Sequence, residues 1–248
     1  MKLIENISDP KQEPIRQGYG KGLVEAGKKY SNVYVLCADL TDSTKSNMFA
    51  KEFPDRFIEV GVAEQNLVTV AAGLAHIGKI PFVSSYAMFC PGRCWEQIRT
   101  TACYNQRNVK IAGSHAGISV GPDGATHQAL EDIAIMRVVP NMAVIVPCDA
   151  IEAKKATVAI AKLESPAYIR LGREKTAIVT TGKTPFEVGK AEIFRHGTDI
   201  SVIACGSMVY EALIAAKELY KEGISVRVIN CHTIKPIDKK TVISAAKE

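Results

Sequence analysis

An α/β fold is predicted for this chain: a parallel sheet with helices on both faces, followed by a partial second α/β domain. Three observations predict it. Short apolar runs alternate with longer helical patterns as far as residue 171, the rhythm of a parallel sheet covered by its connecting helices. Over residues 176–187 the pattern breaks into Thr, Gly, Lys and Pro, as a linker does. It then restarts as strand, helix and strand.

The elements follow in order. Residues 32–37 read as a buried strand, and residues 57–62 as another. Residues 63–76 are rich in Ala, Leu and Val, as a buried helix is, and Gly78 stands where a helix stop belongs. A strand over 80–86 comes next, then a helix over 91–105 with Pro91 in its first turn. Residues 109–113, 142–146 and 167–171 are further short strands, and 149–163 is an amphipathic helix with Asp149 as N-cap. Beyond the linker, 199–205 is a strand, Gly206-Ser207 a turn, and 209–222 a helix capped by Gly223. A strand over 225–230 follows, and 239–248 has the pattern of another helix. Two strands are too few to enclose a core, so this second unit reads as incomplete. The expected boundaries are 1–175, a linker at 176–188, and 189–248.

Composition narrows the function classes. A chain of 248 residues, 47% hydrophobic and 23% charged, has the makings of a soluble globular protein. No apolar run approaches the ~20 residues that span a bilayer, and the polar start shows no secretory h-region. Seven scattered cysteines, mostly inside apolar stretches, read as reduced thiols of a cytoplasmic protein. Cys90 and Cys94 have no matching second pair, which argues against zinc. The net charge is +5, but the basic residues are dispersed, so nucleic-acid binding is not supported.

Four segments carry chemistry-bearing residues, each at or just after the C-terminal end of an expected strand, where open α/β sheets bind ligands. They are residues 38–43, residues 59–66, residues 83–89 and the run from His115 to His127. Each has an ordinary reading as well. Glu64 alone suits a first-turn carboxylate facing the helix dipole. Tyr86 and Phe89 suit core packing, and Asp39 and Ser43 suit turn and cap positions. The glycines and Pro122-Asp123-Gly124 of the fourth segment imply an irregular loop, solvated or sugar-binding through its His and Asp side chains.

Taken together the segments resemble the transketolase family, in its order and over nearly the whole chain. Asp39-Leu40-Thr41 followed by Ser43 is similar to an Ala-Asp-Leu-Thr-x-Ser segment of that family. Gly61-Val62-Ala63-Glu64-Gln65 resembles the segment holding its cofactor-activating glutamate. Gly121-Pro122-Asp123-Gly124-Ala125-Thr126-His127-Gln128 matches the specific Gly-x-Asp-Gly-x-Thr-His-Gln run. Ile203-Ala204-Cys205-Gly206-Ser207 resembles the start of the family's third domain.

The resemblance implies a thiamine diphosphate-binding, pyrimidine-type domain. Glu64 would be the catalytic carboxyl, sharing a proton with the pyrimidine N1′ so that the cofactor's own amine can deprotonate its thiazolium. Burial would favour the protonated carboxyl. Tyr86 and Phe89 match positions flanking the pyrimidine, with their usual identities exchanged, and Asp39 matches an aspartate near the cofactor at the subunit contact. Ser43, His115, Asp123, His127 and Arg173 match residues that bind the sugar phosphate. Ser43 and Arg173 would hold the phosphate, with Arg16 as a looser addition, while Asp123 and His127 would orient hydroxyls.

The Gly-Asp-Gly…Asn motif that binds magnesium and diphosphate in the family is not found in this sequence. The implied Mg2+ (or Ca2+) would therefore be ligated by a separate amino-terminal transketolase subunit, in an α2β2 assembly or around a dimer of this chain. The implied reaction is transfer of a two-carbon ketol unit from a ketose phosphate to an aldose phosphate. The rival readings are a 1-deoxyxylulose 5-phosphate synthase-like enzyme and a non-catalytic module that keeps the fold. The synthase family usually places Asp-Arg where His115 stands.

Overall fold

The computed structural model describes residues 3–248. The chain opens with β1 (Gln12–Pro14) and α1 (Ile15–Lys29), then β2 (Val33–Cys37), α2 (Asn47–Glu52), β3 (Phe57–Glu59) and α3 (Glu64–His76). Next come β4 (Ile80–Tyr86) and α4 (Trp95–Gln97), which continues as a π-helical turn over Ile98–Tyr104. They are followed by β5 (Lys110–Ser114), α5 (Asp132–Arg137), β6 (Ala143–Ile145), α6 (Ala150–Ala161), β7 (Ala167–Arg170) and β8 (Lys175–Ala177). The remainder holds β9 (Glu192–Arg195), β10 (Ile200–Ala204), α7 (Met208–Lys221), β11 (Val226–Asn230), β12 (Thr233–Lys235) and α8 (Lys239–Lys247).

Seven strands make the main sheet in the order β12-β6-β7-β5-β4-β2-β3. All neighbours run parallel except β12, which joins β6 antiparallel. Strands covered on both faces need apolar residues on both, and β2, β4 and β5 are buried almost throughout. One face packs Leu67, Val68 and Ala71 of α3 and Ile98 of the π-helical turn against Leu36, Val83 and Ile111. The other packs Tyr19 and Leu23 of α1 and Ala153, Ala156 and Ile160 of α6 against Val35, Phe82 and Ile169. The doubly covered parallel sheet is the architecture expected.

Several expectations need correction. The helix does not start at Pro91. Residues 87–94 form consecutive turns, with the amides of Cys90, Gly92 and Arg93 bonded to the carbonyls of Tyr86, Ala87 and Phe89, and the helix begins at Trp95. The strand over 57–62 stops at Glu59, because Gly61 at φ +71° swings the chain into α3. The residues expected as a linker open with pairing: β8 runs antiparallel to β1, and Leu3 bridges Thr180. The second unit has three strands, not two, in the order β10-β11-β9 with β9 antiparallel. Its chain also returns β12 to the edge of the main sheet.

Buried polar bonds tie this smaller sheet to the larger one. Asp149 caps α6 through the Glu152 amide, as expected, and its carboxylate also accepts from the amides of Val179 and Thr180. Glu152 accepts from the Cys148 amide and the Asn230 side chain, each at 2.7 Å. Burial pushes the Glu152 carboxyl up to about 7. Among the described residues no helix is long and apolar enough to cross a membrane.

Candidate functional site

The expected residues gather at the C-terminal edge of the parallel strands. Asp39 follows β2, Glu64 opens α3 after β3, Tyr86 ends β4, His115 follows β5, and Arg173 follows β7. Arg16 lies in the first turn of α1, a helix that the glycine-rich sequence does not announce. Strain concentrates here: Asp39, Lys45 and His115 all hold positive φ (+56°, +68° and +57°), a conformation that side-chain-bearing residues seldom adopt.

Glu64 is 1% exposed, and the only hydrogen bond its carboxylate makes among the described residues comes from Arg93 Nη1, at 2.8 Å. A buried carboxylate without a partner is costly, so this pairing stabilises the site as it stands. The Arg93 guanidinium also lies 4.8 Å from the centre of the Phe89 ring. Phe89 stands edge-on to His127 at 5.1 Å, and nearly parallel to Tyr86 at 6.3 Å. Tyr86 in turn stacks on His115 at 3.8 Å. One chain of contacts therefore joins Glu64, Arg93, Phe89, Tyr86, His127 and His115.

The far end of this cluster is cationic. Arg16 Nη1 donates to the Arg173 carbonyl at 2.6 Å, and burial together with Arg173 pushes the Arg16 guanidinium below its usual value. Arg173 itself reaches Glu174 at 2.7 Å. A Cβ on Gly121 would stand 2.2 Å from Arg173 Nη1, and Gly121 holds φ +84°, so this position needs glycine for the loop to lie on the arginine. His115 is buried, with Nδ1 2.9 Å from the Ser114 hydroxyl. Burial first, then Arg16, Arg173, His127 and Lys45, depress its imidazole to about 3, so it is neutral near pH 7.

Not every expected residue joins the cluster directly. The Asp39 amide donates to Glu59 Oε1 at 2.7 Å, and Thr41 Oγ1 and the Gly61 amide bond the same carboxylate. Glu59 thus clamps the loop after β2 to the turn that delivers Glu64. The side chains of Asp39, Ser43 and Asp123 make no hydrogen bond among the described residues. Asp123 is exposed on its loop.

The sequence marks neither Arg93 nor Lys45, and it includes Glu59 only as the first residue of the 59–66 segment. Nothing in the sequence signals that Arg93 reaches a carboxylate 29 residues earlier.

A carboxyl group beside an aromatic face suits an aminopyrimidine. Glu64 and the Phe89 face already accept a planar group that carries N–H donors, namely the Arg93 guanidinium. Among the described residues no group of three or more His, Cys, Asp and Glu side chains could hold a metal ion.

Comparison with known proteins agrees with this architecture. Residues 11–178 match the transketolase pyrimidine-binding domain, and residues 189–248 the transketolase C-terminal domain. A putative transketolase C-terminal section of Methanocaldococcus jannaschii is 50% identical over 230 residues, which cover 92% of this chain and 73% of that protein. Transketolase-like protein 2 of Mus musculus is 43% identical over 235 residues, 94% of this chain but only 37% of its own length. Among solved structures, a split gene transketolase described as an inactive beta4 tetramer superposes with a TM-score of 0.87 at 46% identity, over 94% of this chain and 75% of that one. With both of its segments matched, the chain belongs to the transketolase family.

Proposed function

We propose that this chain is the pyrimidine-binding subunit of a thiamine diphosphate-dependent transketolase. With an amino-half partner it would move a two-carbon ketol unit from a ketose phosphate to an aldose phosphate. The observation that carries the reading is the placement of a buried carboxylate, Glu64, at one end of an aromatic and histidine cluster whose other end is cationic. A cofactor ring and an anionic sugar need those two ends, in that order.

Thiamine diphosphate, when bound, would supply the nucleophilic carbon that ketol transfer needs. The chain's own residues do the rest. Glu64 holds a proton against the ring nitrogen N1′. Tyr86 and Phe89 flank the ring and exclude water from it. Asp39 stands at the contact with a second subunit. His115, neutral through burial and its cationic neighbours, donates or accepts a hydrogen bond without adding charge. Arg16, Arg173 and Ser43 take the phosphate, and Asp123 and His127 orient hydroxyls. The boundaries 1–175, 176–188 and 189–248 remain our division of the chain.

The magnesium and diphosphate ligands would come from the partner, which the mixed C-terminal-section and split-gene relatives support. The assembly would be α2β2, or built around a dimer of this chain. The free thiols support a reducing, cytoplasmic setting. The test is a coupled assay with xylulose 5-phosphate, ribose 5-phosphate, thiamine diphosphate and magnesium. It is run on this chain, on its amino-half partner, and on the mixture. Activity confined to the mixture is expected; a mixture without ketol transfer contradicts the proposal.

A further inference from the structure

The two groups assigned to the cofactor's ring are both engaged by one side chain. Arg93 donates from Nη1 to Glu64 Oε2 at 2.8 Å and lays its guanidinium 4.8 Å from the Phe89 centroid. An aminopyrimidine that shares a proton with Glu64 through N1′ would make the same two contacts: one hydrogen bond to the carboxyl group and a flat face against Phe89. We propose that the Arg93 guanidinium is a displaceable occupant of the pyrimidine subsite, which the cofactor's aminopyrimidine replaces on Glu64 and Phe89. This inference rests on the reading of Glu64 and Phe89 given above.

Three features separate the contact from a structural ion pair. The first is exposure: the Glu64 side chain is 1% exposed but that of Arg93 is 50%, so the arginine can swing into water at little cost. The second is valency. Arg93 holds Glu64 through a single nitrogen, with no second donor to the carboxylate among the described residues. The third is the contrast with the other buried pair. Asp132 takes both Arg170 Nε at 2.9 Å and the Tyr168 hydroxyl at 2.7 Å on one oxygen, and its arginine is only 23% exposed. That pair is built to stay closed.

Replacement also resolves an electrostatic difficulty. An empty ring subsite would leave the Glu64 carboxylate buried and uncompensated. Arg93 supplies that counter-charge, and its departure leaves the carboxyl free to share a proton with N1′. The arginine therefore stabilises the cofactor-free chain and weakens cofactor binding by the same interaction.

The test is a ligand-observed NMR titration of this chain with 4-amino-5-hydroxymethyl-2-methylpyrimidine, the ring half of the cofactor. Arg93→Met keeps the length and removes the charge and the donors; Arg93→Gln is the second variant. Both are expected to tighten binding, Arg93→Met by about tenfold. Glu64→Ala is expected to weaken it. If Glu64→Ala weakens binding and the Arg93 variants leave it unchanged or weaker, the displacement is wrong and the pyrimidine subsite stands. If Glu64→Ala has no effect, or no form of the chain binds the ring, the subsite reading falls and the displacement with it.

Discussion

The two ends of the candidate site balance their charges in opposite ways. At the Glu64 end a buried carboxylate is matched by one arginine, and no net charge is left over. At the His115 end Arg16 and Arg173 crowd a buried imidazole, with Lys45 nearby, and one exposed carboxylate, Glu174, offsets them. The first end is satisfied and needs a ligand only to take a partner's place. The second carries a surplus that a phosphate would neutralise. An enzyme that binds a neutral aromatic ring and an anionic sugar is served by that asymmetry.

Removing Glu64 should break the comparison most severely. Glu64→Ala is expected to lower kcat of the assembled enzyme by about a thousandfold, the middle of the range for a lost proton-transfer group. The circular dichroism spectrum should not change, because Arg93 is left half in water. Next in size is the cationic end. Arg173→Ala should raise KM for ribose 5-phosphate by about 10- to 100-fold, the value of one charge-assisted hydrogen bond, with a smaller effect on kcat. Equal KM values in the variant and the parent would remove Arg173 from the phosphate site. His127→Ala should raise the sugar KM by about three- to tenfold and leave cofactor affinity alone. A loss of cofactor affinity instead would move His127 to the ring end, beside Phe89.

The smallest effect concerns pH. His115 is depressed from 6.5 to about 3. Between those values the unfolded chain carries a proton on this residue that the native chain lacks, so stability falls as pH drops through the window. His115→Asn removes that group and tolerates the positive φ. His232, also depressed by burial, to about 4, is retained in both forms as an internal reference. The drop in urea midpoint between pH 7 and about pH 4.5 should be smaller in the variant. Identical drops would mean that His115 titrates normally.

The sequence made the parallel strands of the main sheet legible because double burial demands continuous apolar runs, as in 33–37 and 80–86. It hid α1, whose Gly18, Gly20, Gly22 and Gly27 look like loop residues. The structure gives their reason: a Cβ on Gly18 would stand 1.8 Å from the Ala150 carbonyl oxygen, and one on Gly22 2.6 Å from Thr157 Cβ. Close approach of α1 to α6 outweighs helix propensity there. The strands β9 and β12 were hidden by their mixed composition, Glu-Ile-Phe-Arg and Thr-Ile-Lys, which alternates too briefly to register.

The site was legible as a set of motifs but not as a circuit. Asp-Gly-x-Thr-His-Gln and the glutamate segment marked where to look. They carried no signal for the contacts that only folding creates, such as Arg93 on Glu64 or Arg16 on Arg173. Their partners lie 29 and 157 residues apart. The turn-rich stretch after β4 is what brings Arg93 to Glu64, whereas Pro91 in the sequence predicts the start of a helix there.

The central claim is that Glu64 activates the cofactor. The direct measurement is exchange of the thiazolium C2 proton for deuterium in bound thiamine diphosphate, followed by NMR on the complex with the amino-half partner. The wild-type complex should exchange the proton far faster than free cofactor does, and Glu64→Ala should bring the rate back toward the free value. Equally fast exchange in both complexes would contradict the account.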